Sequence, residues 1–351
     1  MVNKFSNAVL TIGCDYRTTK GGIAQVLASY SKHLFSPFHF IANSSNGGKF
    51  AKLFEAAGAW IKCLTFLARR PVIRVVHIHT ASGVSFWRSA AFLLLAKAMR
   101  RAVVMHIHGG YFRQFYHAHS KTVGALLRRC DALIVLSDEW KAFFESFCDK
   151  PVFVLNNVVE PPVKVQVEHD GKVHVLFLGL VTKDKGVYDL VEAIARLDND
   201  VRNRLVVHMA GNGEVDKLKT EVDRHALSEC VTVEGWVSGE AKTRLLNLCS
   251  TFVLPSYIEA LPISVLECMS YGMPIIATAV GAIPTLVRTG ENGTLIQPGD
   301  VGALADALTQ CVTHQDEWAK MGTNSLKSIE AYYPEAIQIR LTHIYETLLK
   351  C

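Results

Sequence analysis

Short apolar runs alternate with longer segments of helical periodicity along this chain of 351 residues. Such runs, rich in β-branched residues and lacking polar alternation, predict strands that are buried on both faces, and helices between them predict parallel sheets. The pattern therefore predicts an α/β protein with two doubly wound halves. Eleven runs have this character: AVLTIG, VVHIHT, AVVMHIHG, ALIVLS and VFVLNN in the first half, then VHVLFLG, LVVHMAG, VTVEGW, TFVLPS, MPIIAT and GTLIQPG.

A polar segment with two prolines, VVEPPVKVQVEHDGK, interrupts this alternation between Val158 and Lys172. Because prolines and charges of this kind do not continue a buried strand or helix, the segment is expected to be a linker. We predict an N-terminal Rossmann-like domain over residues 1–160, a linker over 161–171 and a C-terminal Rossmann-like domain over 172–332. The two domains are expected to face each other across a cleft.

Charge is distributed unevenly between the two halves. Residues 1–160 hold 20 Lys and Arg against 8 Asp and Glu, whereas the rest of the chain holds 17 against 24. A basic half indicates an anionic partner, such as a phosphate-bearing substrate or a membrane surface, although uneven solubilising charge is the alternative. No nucleic-acid recognition motif accompanies the basic half, so we expect no nucleic-acid partner.

Cysteine usage and hydropathy favour a cytoplasmic protein. The nine cysteines are scattered without a CxxC pair, which favours reduced thiols over a disulfide framework. The first residues, MVNKFSNAVLTIG, lack the apolar region of a signal peptide, and no run reaches the roughly 18 apolar residues that a membrane span needs. We therefore expect a cytoplasmic protein, with peripheral attachment to the inner face of the cytoplasmic membrane as a further hypothesis.

Ligands in open α/β sheets bind beyond the carboxyl ends of the strands, so the residues after each strand are candidates for a site. Gly21 and Gly22 precede an amphipathic helix, where free N–H groups suit a phosphate, but a plain turn would use the same glycines. Lys185 precedes another helix, where an ammonium neutralises a phosphate well; a solvated lysine is the alternative.

Histidines recur in three His-x-His pairs, and the first two pairs lie on predicted strands. Alternation along a strand puts both members of a pair on one face, which makes a metal cluster conceivable. No Asp or Glu lies close in sequence, and hydrogen bonding in a cleft or core is the favoured interpretation, so we predict no metal and no cofactor. His108 ends its strand and is followed by two glycines, Tyr111 and Arg113, which indicates a polar wall with a platform for an acceptor.

The stretch YIEALPISVLE contains two acids, Glu259 and Glu267, in an otherwise apolar region after a predicted strand. Pro262 suits the first turn of a helix, so Glu259 is expected in the loop and Glu267 about one and a half turns into the helix. Backbone N–H groups at the helix start form an anion site between the two acids, involving Leu261, Ile263 and Ser264. An acid, an anion site and a second acid match the sugar hydroxyls, diphosphate and ribose hydroxyls of a nucleotide sugar.

The block PSYIEALPISVLECMSYGMPIIATAVGAIPTLV, followed by ENGTLIQPGD, resembles the retaining glycosyltransferases of the GT-B fold, family GT4. The Glu-x7-Glu spacing of Glu259 and Glu267 is the specific part of this resemblance. Weaker matches occur in the order in which the family has them: GGIAQV, HIHGGYF, DALIVLS, the FLG and KG segment, GNGE and YYPEAIQIRLTHIYETLL.

The resemblance implies a role for each domain and for individual residues. The first domain would bind the acceptor, the second the donor, and a C-terminal helix over residues 333–351 would cross back to the first domain. Glu259 would contact the donor sugar, Glu267 the ribose, and His108 the sugar or acceptor; catalysis would rest on Glu259, Lys185 and His108. The diphosphate would be held by Gly21, Gly22, Lys185, Leu261, Pro262, Ile263 and Ser264.

Three positions depart from the family pattern. Leu180 stands where an arginine usually follows the FLG glycine, and Lys183 is a candidate replacement. Asn156, Asn157 and Val158 stand for the usual Pro-Asn-Gly. Ala260 replaces the common glycine of EGLP, which is a mild change provided that its φ is negative.

Two segments of the basic half, AAGAWIKCLTFLARRPVIR and SFWRSAAFLLLAKAMRR, interleave aromatic, leucine and basic residues. This composition suits an anionic membrane surface, although ordinary amphipathic helices have it too. With the family pattern it favours transfer, with retention of anomeric configuration, from a nucleotide-diphosphate sugar to a polyprenyl diphosphate-linked saccharide in surface polysaccharide biosynthesis. The alternatives are a GT-B epimerase or phosphorylase and a non-catalytic sugar-binding protein.

Overall fold

The apolar runs form two six-stranded parallel sheets in the computed structural model, which describes residues 3–44 and 49–350. The chain divides into two compact units, one formed by Met1–Val159 with Tyr332–Cys351 and the other by Glu160–Ala331. Helices connect successive parallel strands in each unit, as parallel pairing requires. The α/β class with two doubly wound, Rossmann-like domains is therefore confirmed.

The first unit carries strands in the order β2-β1-β3-β4-β5-β6. The strand order reverses direction between β1 and β3, so the loops after these two strands flank the switch point of the sheet. Its elements are β1 (Val9–Cys14), α1 (Gly22–Ser29), β2 (Phe40–Ser44), α2 (Lys49–Arg69), β3 (Val75–Thr80), α3 (Val84–Ala98), β4 (Ala102–Ile107), α4 (Phe112–Leu127), β5 (Ala132–Val135), α5 (Asp138–Glu145) and β6 (Val152–Val154).

The second unit carries strands in the order β12-β11-β10-β7-β8-β9, in which β7 and β10 are neighbours at the switch point. A 3₁₀ turn, Lys183–Lys185, precedes α6. The elements are β7 (Val173–Leu178), α6 (Val187–Ala195), α7 (Asn199–Asn203), β8 (Leu205–Ala210), α8 (Val215–Arg224), β9 (Val231–Gly235), α9 (Gly239–Leu248), β10 (Thr251–Leu254), α10 (Ile263–Ser270), β11 (Ile275–Thr278), α11 (Ile283–Leu286), β12 (Gly293–Ile296), α12 (Val301–Thr313) and α13 (Gln315–Ser328).

The last helix, α14 (Pro334–Lys350), packs on the first unit after the chain has completed the second. Ile337, Leu341, Ile344 and Tyr345 are buried, and their spacing of three or four residues makes one apolar face. The hydroxyl of Tyr345 shares a hydrogen bond of 2.7 Å with Nδ1 of His77 on β3. A polar contact thus connects this helix to the centre of the first sheet.

Each of the eleven predicted runs coincides with a strand or overlaps one, and β2 is a further strand that the apolar pattern missed. The sequence of β2, FIANS, has three apolar residues followed by two polar ones, and Pro37 precedes it closely. Its polar residues Asn43 and Ser44 are nevertheless buried. The strand forms because β1 offers it a parallel partner, which is information that the local sequence does not carry.

Candidate functional site

The switch point of the second unit brings together the loops that follow β7 and β10. Lys185 ends the 3₁₀ turn after β7, and Glu259 lies in the loop between β10 and α10. The Lys185 ammonium donates to Oε1 of Glu259 at 2.5 Å, and the Ser256 hydroxyl donates to the same oxygen at 2.9 Å. Two residues that are 74 positions apart in the chain therefore form one charged pair at the edge where ligands bind such sheets.

Burial differs between the two partners of this pair. The Glu259 side chain is 8% exposed, whereas that of Lys185 is 25% exposed. A carboxylate so deeply placed needs compensation by a cation and hydrogen bonds, which Lys185 and Ser256 supply. From the sequence, Glu259 is expected at the donor sugar and Lys185 at the diphosphate, but in the structure the two side chains are in direct contact.

Close backbone packing holds the two loops against each other. Gly186, directly after Lys185, has φ +68°, and a Cβ on it would lie 2.0 Å from the Pro255 carbonyl oxygen, so only glycine fits. The Tyr257 N–H donates to the Asp184 carbonyl at 2.8 Å. The position of Lys185 relative to Glu259 is therefore set by main-chain contacts.

A second glycine, Gly281 in the loop after β11, packs closely against the loop that carries Glu259. Gly281 has φ +54°, and a Cβ there would lie 2.2 Å from the Glu259 carbonyl oxygen. Ala282 donates its N–H to the Ala260 carbonyl at 2.9 Å. Ala260 is not among the positive-φ residues of the described chain, so alanine fits where the family pattern has glycine.

Helix α10 begins at Ile263, and Pro262 is its N-cap with φ −70° and ψ 121°. The prediction that Pro262 lies in the first turn is wrong by one residue, because its extended ψ places it just outside the helix. Leu261, Pro262 and Ile263 are buried and Ser264 is half-buried. The first N–H groups of the helix, from Ile263 onward, are the ones that an α-helix leaves for an acceptor outside it.

Glu267 is the fifth residue of α10 and also has a lysine partner. Lys242, the fourth residue of α9, donates from Nζ to Oε1 of Glu267 at 2.5 Å. The two side chains are 17% and 20% exposed. Lys242 was not predicted from the sequence, because nothing in SGEAKTR distinguishes it from the neighbouring Arg244. Ser256 was not predicted either, because it was interpreted only as the end of a strand.

Leu180, the position at which the family pattern has an arginine, is 45% exposed beyond the end of β7. Lys183, the predicted replacement, lies in the 3₁₀ turn with an exposed side chain. Lys185 and Lys242 instead pair with the two acids, Glu259 and Glu267 respectively.

Four histidines form a stacked column in the first unit. His77 and His79 lie on β3, His106 lies on β4, and His108 follows β4 directly. Nε2 of His77 lies 3.3 Å from Nδ1 of His106, and Nδ1 of His79 lies 3.0 Å from Nε2 of His108. Register explains the column, because His79 and His106 are paired residues on neighbouring strands.

Burial keeps these imidazoles neutral. It lowers the pKa of His77 and that of His108 to about 3, the latter against a hydrogen bond with Asn157. Burial, with smaller contributions from neighbouring histidines, lowers the pKa of His79 and His106 well below the usual value. His108 is therefore a neutral hydrogen-bonding group at physiological pH.

One ring nitrogen from each of His77, His79 and His106 lies within 4.8 Å of the others, so these residues are the candidates for a metal ion among those described. Zinc–nitrogen bonds of about 2.0–2.1 Å would require the ligating nitrogens to lie roughly 3.4 Å apart. A mutual separation of up to 4.8 Å does not guarantee this spacing. Both nitrogens of His77 already have partners, Tyr345 and His106. The donor set is better described as a hydrogen-bonded column than as a metal centre.

The remaining predicted residues of the first unit lie at helix starts. Gly21, with φ +135°, is the N-cap of α1, and Gly22 is its first residue. Tyr111 is the exposed N-cap of α4. Arg113 extends to α5, where its Nη2 donates to Oε1 of Glu139 at 3.0 Å.

Among the helices of residues 3–44 and 49–350, none combines the length and the apolar character that crossing a bilayer requires.

Residues 162–328 match the family described as "Glycosyl transferases group 1". A curated relative, the MMP alpha-(1->4)-mannosyltransferase of Mycolicibacterium hassiacum, is 29% identical over 184 residues, which is 50% of this chain and 44% of that protein. The putative colanic acid biosynthesis glycosyltransferase WcaL of Salmonella typhimurium is 23% identical over 64% of this chain and 58% of its own length. The chain thus spans less than two thirds of these relatives.

Solved structures resemble almost the whole chain. Sucrose-phosphate synthase from Thermosynechococcus elongatus has a TM-score of 0.79 at 19% identity, covering 97% of this chain and 99% of that one. Anabaena HepE in complex with UDP-glucose has a TM-score of 0.77 at 17% identity, covering 98% and 99%. These likenesses concern the fold, and they confirm the predicted GT-B fold with two Rossmann-like domains.

Proposed function

We propose that this chain, which has the GT-B fold and whose residues 162–328 belong to the group 1 glycosyl transferases, transfers a hexose from a nucleotide-diphosphate sugar to a hydroxyl group with retention of configuration. The observation that carries the proposal is the Lys185–Glu259 pair at the switch point, directly before the start of α10. This position is where doubly wound sheets bind nucleotides.

Glu259, the start of α10 and Glu267 follow one another in the same order as the sugar, the diphosphate and the ribose of a nucleotide sugar. One oxygen of Glu259 is engaged by Lys185 and Ser256, which leaves the other to accept from hydroxyls of the donor sugar. The start of α10 and the Lys185 ammonium suit the diphosphate. Glu267, one turn further along α10, suits the ribose hydroxyls.

Retention without a covalent nucleophile requires the acceptor to attack on the face from which the diphosphate leaves. In this front-side displacement the leaving diphosphate accepts the proton of the attacking hydroxyl. Lys185 and the helix start stabilise the negative charge that grows on the leaving group. No metal or cofactor is needed for these steps.

For the first unit we propose acceptor binding, with Tyr111 and Arg113 on the acceptor side and the Gly21-Gly22 turn as a phosphate contact. His108 is assigned a hydrogen-bonding role because burial lowers its pKa to about 3 and keeps it neutral. A neutral imidazole has one N–H donor and one acceptor nitrogen, a combination that suits a sugar or acceptor hydroxyl.

A thermal-shift panel of UDP-, GDP-, ADP-, CMP- and dTDP-sugars tests the donor assignment. One class is expected to raise the unfolding temperature of the protein, because a ligand at about 100 times its Kd stabilises the folded state by about 2.7 kcal/mol. Identification of the products then separates the classes: transfer yields a glycosylated acceptor, an epimerase an isomerised donor, and a phosphorylase a sugar phosphate. No shift with any member of the panel would contradict the proposal.

The acceptor that we propose is a polyprenyl diphosphate-linked saccharide of surface polysaccharide biosynthesis, met at the inner face of the cytoplasmic membrane. Support comes from an exposed apolar surface on α2 and α3 of the basic unit, which we call the aromatic face: Trp60, Ile61, Leu64, Trp87 and Leu94. Trp60 donates from Nε1 to the Ala91 carbonyl, so the two helices share this surface. Lys62 and Arg69 on α2 and Arg70 directly after it are exposed and suit anionic headgroups.

Vesicle sedimentation tests the aromatic face. We expect the protein to bind vesicles of equal phosphatidylcholine and phosphatidylglycerol at low salt, and binding to weaken at high salt as charges are screened. Ile61→Glu should reduce binding, since it puts a negative charge into the apolar surface. The matched control is Ile339→Glu at an exposed position of α14. Equal binding by the two variants, or no binding by the unaltered protein at low salt, would exclude this role.

A further inference from the structure

Lys242 is a charged residue that contacts the proposed site and has no role so far in the proposed reaction. Its side chain reaches from α9 to α10 and ends 2.5 Å from Oε1 of Glu267. Both side chains remain partly exposed, at 17% and 20%. The pair therefore lies at a surface that a ligand can reach, rather than inside the core.

Apolar side chains anchor the two helices that carry this pair. Helix α9 is anchored by the buried Leu245 and Leu246, and α10 is anchored by Ile263, Val265, Leu266, Cys268 and Met269. An ion pair with side chains only 17% and 20% exposed is weak evidence for stability, because the cost of desolvating the two charges offsets much of their attraction. A role in binding explains better why a lysine holds the Glu267 carboxylate in one orientation.

The pair offers a diol both kinds of hydrogen-bonding partner. Oε1 of Glu267 is taken by Lys242, which leaves Oε2 to accept from a hydroxyl. An ammonium has three N–H donors, and Glu267 uses one of them. A donor and an acceptor fixed beside each other match two adjacent hydroxyls, each of which donates and accepts.

Its position separates Lys242 from the diphosphate end of the site. Lys185 pairs with Glu259 before α10 begins, whereas Lys242 pairs with the fifth residue of that helix. Four residues of α-helix correspond to about 6 Å along its axis. The two lysines thus serve different parts of an elongated ligand.

We propose that Lys242 is a specificity-determining residue that selects the ribose of the donor nucleotide, an inference that rests on the function proposed above. Its ammonium fixes the Glu267 carboxylate so that Oε2 faces the ribose, and it donates to an oxygen of the 2′,3′-diol. A nucleotide that lacks one of these hydroxyls loses a charge-assisted contact on the ribose but keeps its contacts with Lys185.

Calorimetric titration with nucleoside diphosphates tests this role. The probes are the diphosphate of the base selected in the nucleotide-sugar panel, its 2′-deoxy and 3′-deoxy analogues, and the corresponding monophosphate. Lys242→Met is expected to weaken binding of the ribonucleotide by about tenfold and to reduce its preference over the deoxy analogues. Lys242→Arg should retain part of that preference.

Two matched variants distinguish this role from others. Arg244→Met, two residues further along α9 with an exposed side chain, should bind like the unaltered protein. Lys185→Met should reduce the preference for diphosphate over monophosphate while leaving the ribose preference in place. With the nucleotide sugar as substrate, Lys242→Met should raise KM and leave kcat within about twofold.

The outcomes separate this inference from the proposed function. If Lys242→Met folds and binds the ribonucleotide and deoxy analogues with unaltered preference, or if Lys242→Arg weakens all probes equally, Lys242 has no role in selecting the ribose. In that case binding and turnover by the unaltered protein would leave the proposed function intact. Absence of nucleotide binding to the unaltered protein would instead overturn the proposed function and this inference with it.

Discussion

Replacement of Lys185 by alanine is expected to lower kcat by on the order of 10²- to 10³-fold, the typical cost of removing one charge-stabilising contact from a reacting group. The ammonium lies at the switch point, next to Glu259 and the start of α10, where we place the leaving diphosphate. The loss should appear in kcat as well as kcat/KM, because the negative charge on the leaving group is largest in the transition state. Steady-state kinetics with the nucleotide sugar selected by thermal shift measure it.

Lys219→Ala is the matched control, since Lys219 is an exposed lysine of α8 in the same unit. Removal of Lys185 leaves Glu259, only 8% exposed, without its cation, so the melting temperature of each variant must be measured alongside its rate. A folded Lys185→Ala protein that turns over within a few-fold of the unaltered chain would refute the assignment.

Glu259→Gln is expected to lower turnover by a similar factor, on the order of 10²-fold or more. The amide keeps the size of the side chain and can still accept from Ser256, but it carries no charge to pair with Lys185 or to accept strongly from the sugar hydroxyls. Transfer and donor hydrolysis should both decrease, because the defect lies at the donor sugar rather than at the acceptor.

Glu229→Gln, at an exposed position before β9, controls for the loss of one negative charge from the unit. The double variant Lys185→Ala with Glu259→Gln adds a sharper test. Because the two side chains contact each other, their effects on kcat should be less than additive. Fully additive losses, or near-normal transfer by Glu259→Gln alone, would mean that the ion pair does not act on the donor.

The strands were largely predictable because the signal for them is local. A run such as VVHIHT is apolar on both faces wherever a parallel sheet is covered by helices, and every predicted run became a strand. Strand β2 was missed because its two buried polar residues, Asn43 and Ser44, depend on the neighbouring strand rather than on an apolar pattern.

The family resemblance was also predictable, since it rests on residues that stand close together in the chain. The block around Glu259 and Glu267 predicted the resemblance to GT4-type GT-B glycosyltransferases. The match of residues 162–328 to the group 1 glycosyl transferases supports that resemblance, and the structural neighbours confirm the GT-B fold. The placement of Glu259 in a loop and Glu267 in a helix agrees with the structure, although α10 begins one residue later than expected.

The lysine partners of the two acids were not predictable. Lys185 and Glu259 are 74 residues apart, and Lys242 and Glu267 are 25 apart. Neither separation corresponds to a helix or strand periodicity, so the sequence pattern does not identify the partners. The same holds for the histidine column, where the His-x-His pairs were visible but their mutual contacts depend on the register of β3 and β4. The sequence predicts that Lys185 acts on a phosphate by itself. In the structure its ammonium also contacts the Glu259 carboxylate.

The amino-acid sequence by itself determined the described strands other than β2, the doubly wound class, the family resemblance and the spacing of Glu259 and Glu267. Each of these follows from patterns within a few turns of helix or a few residues of strand. Only the tertiary structure decided that each acid has its own lysine and that Arg113 turns to Glu139. The physical reason is that such partners are set by strand order and register, which arise from burial summed over whole sheets and not from the residues around any one position.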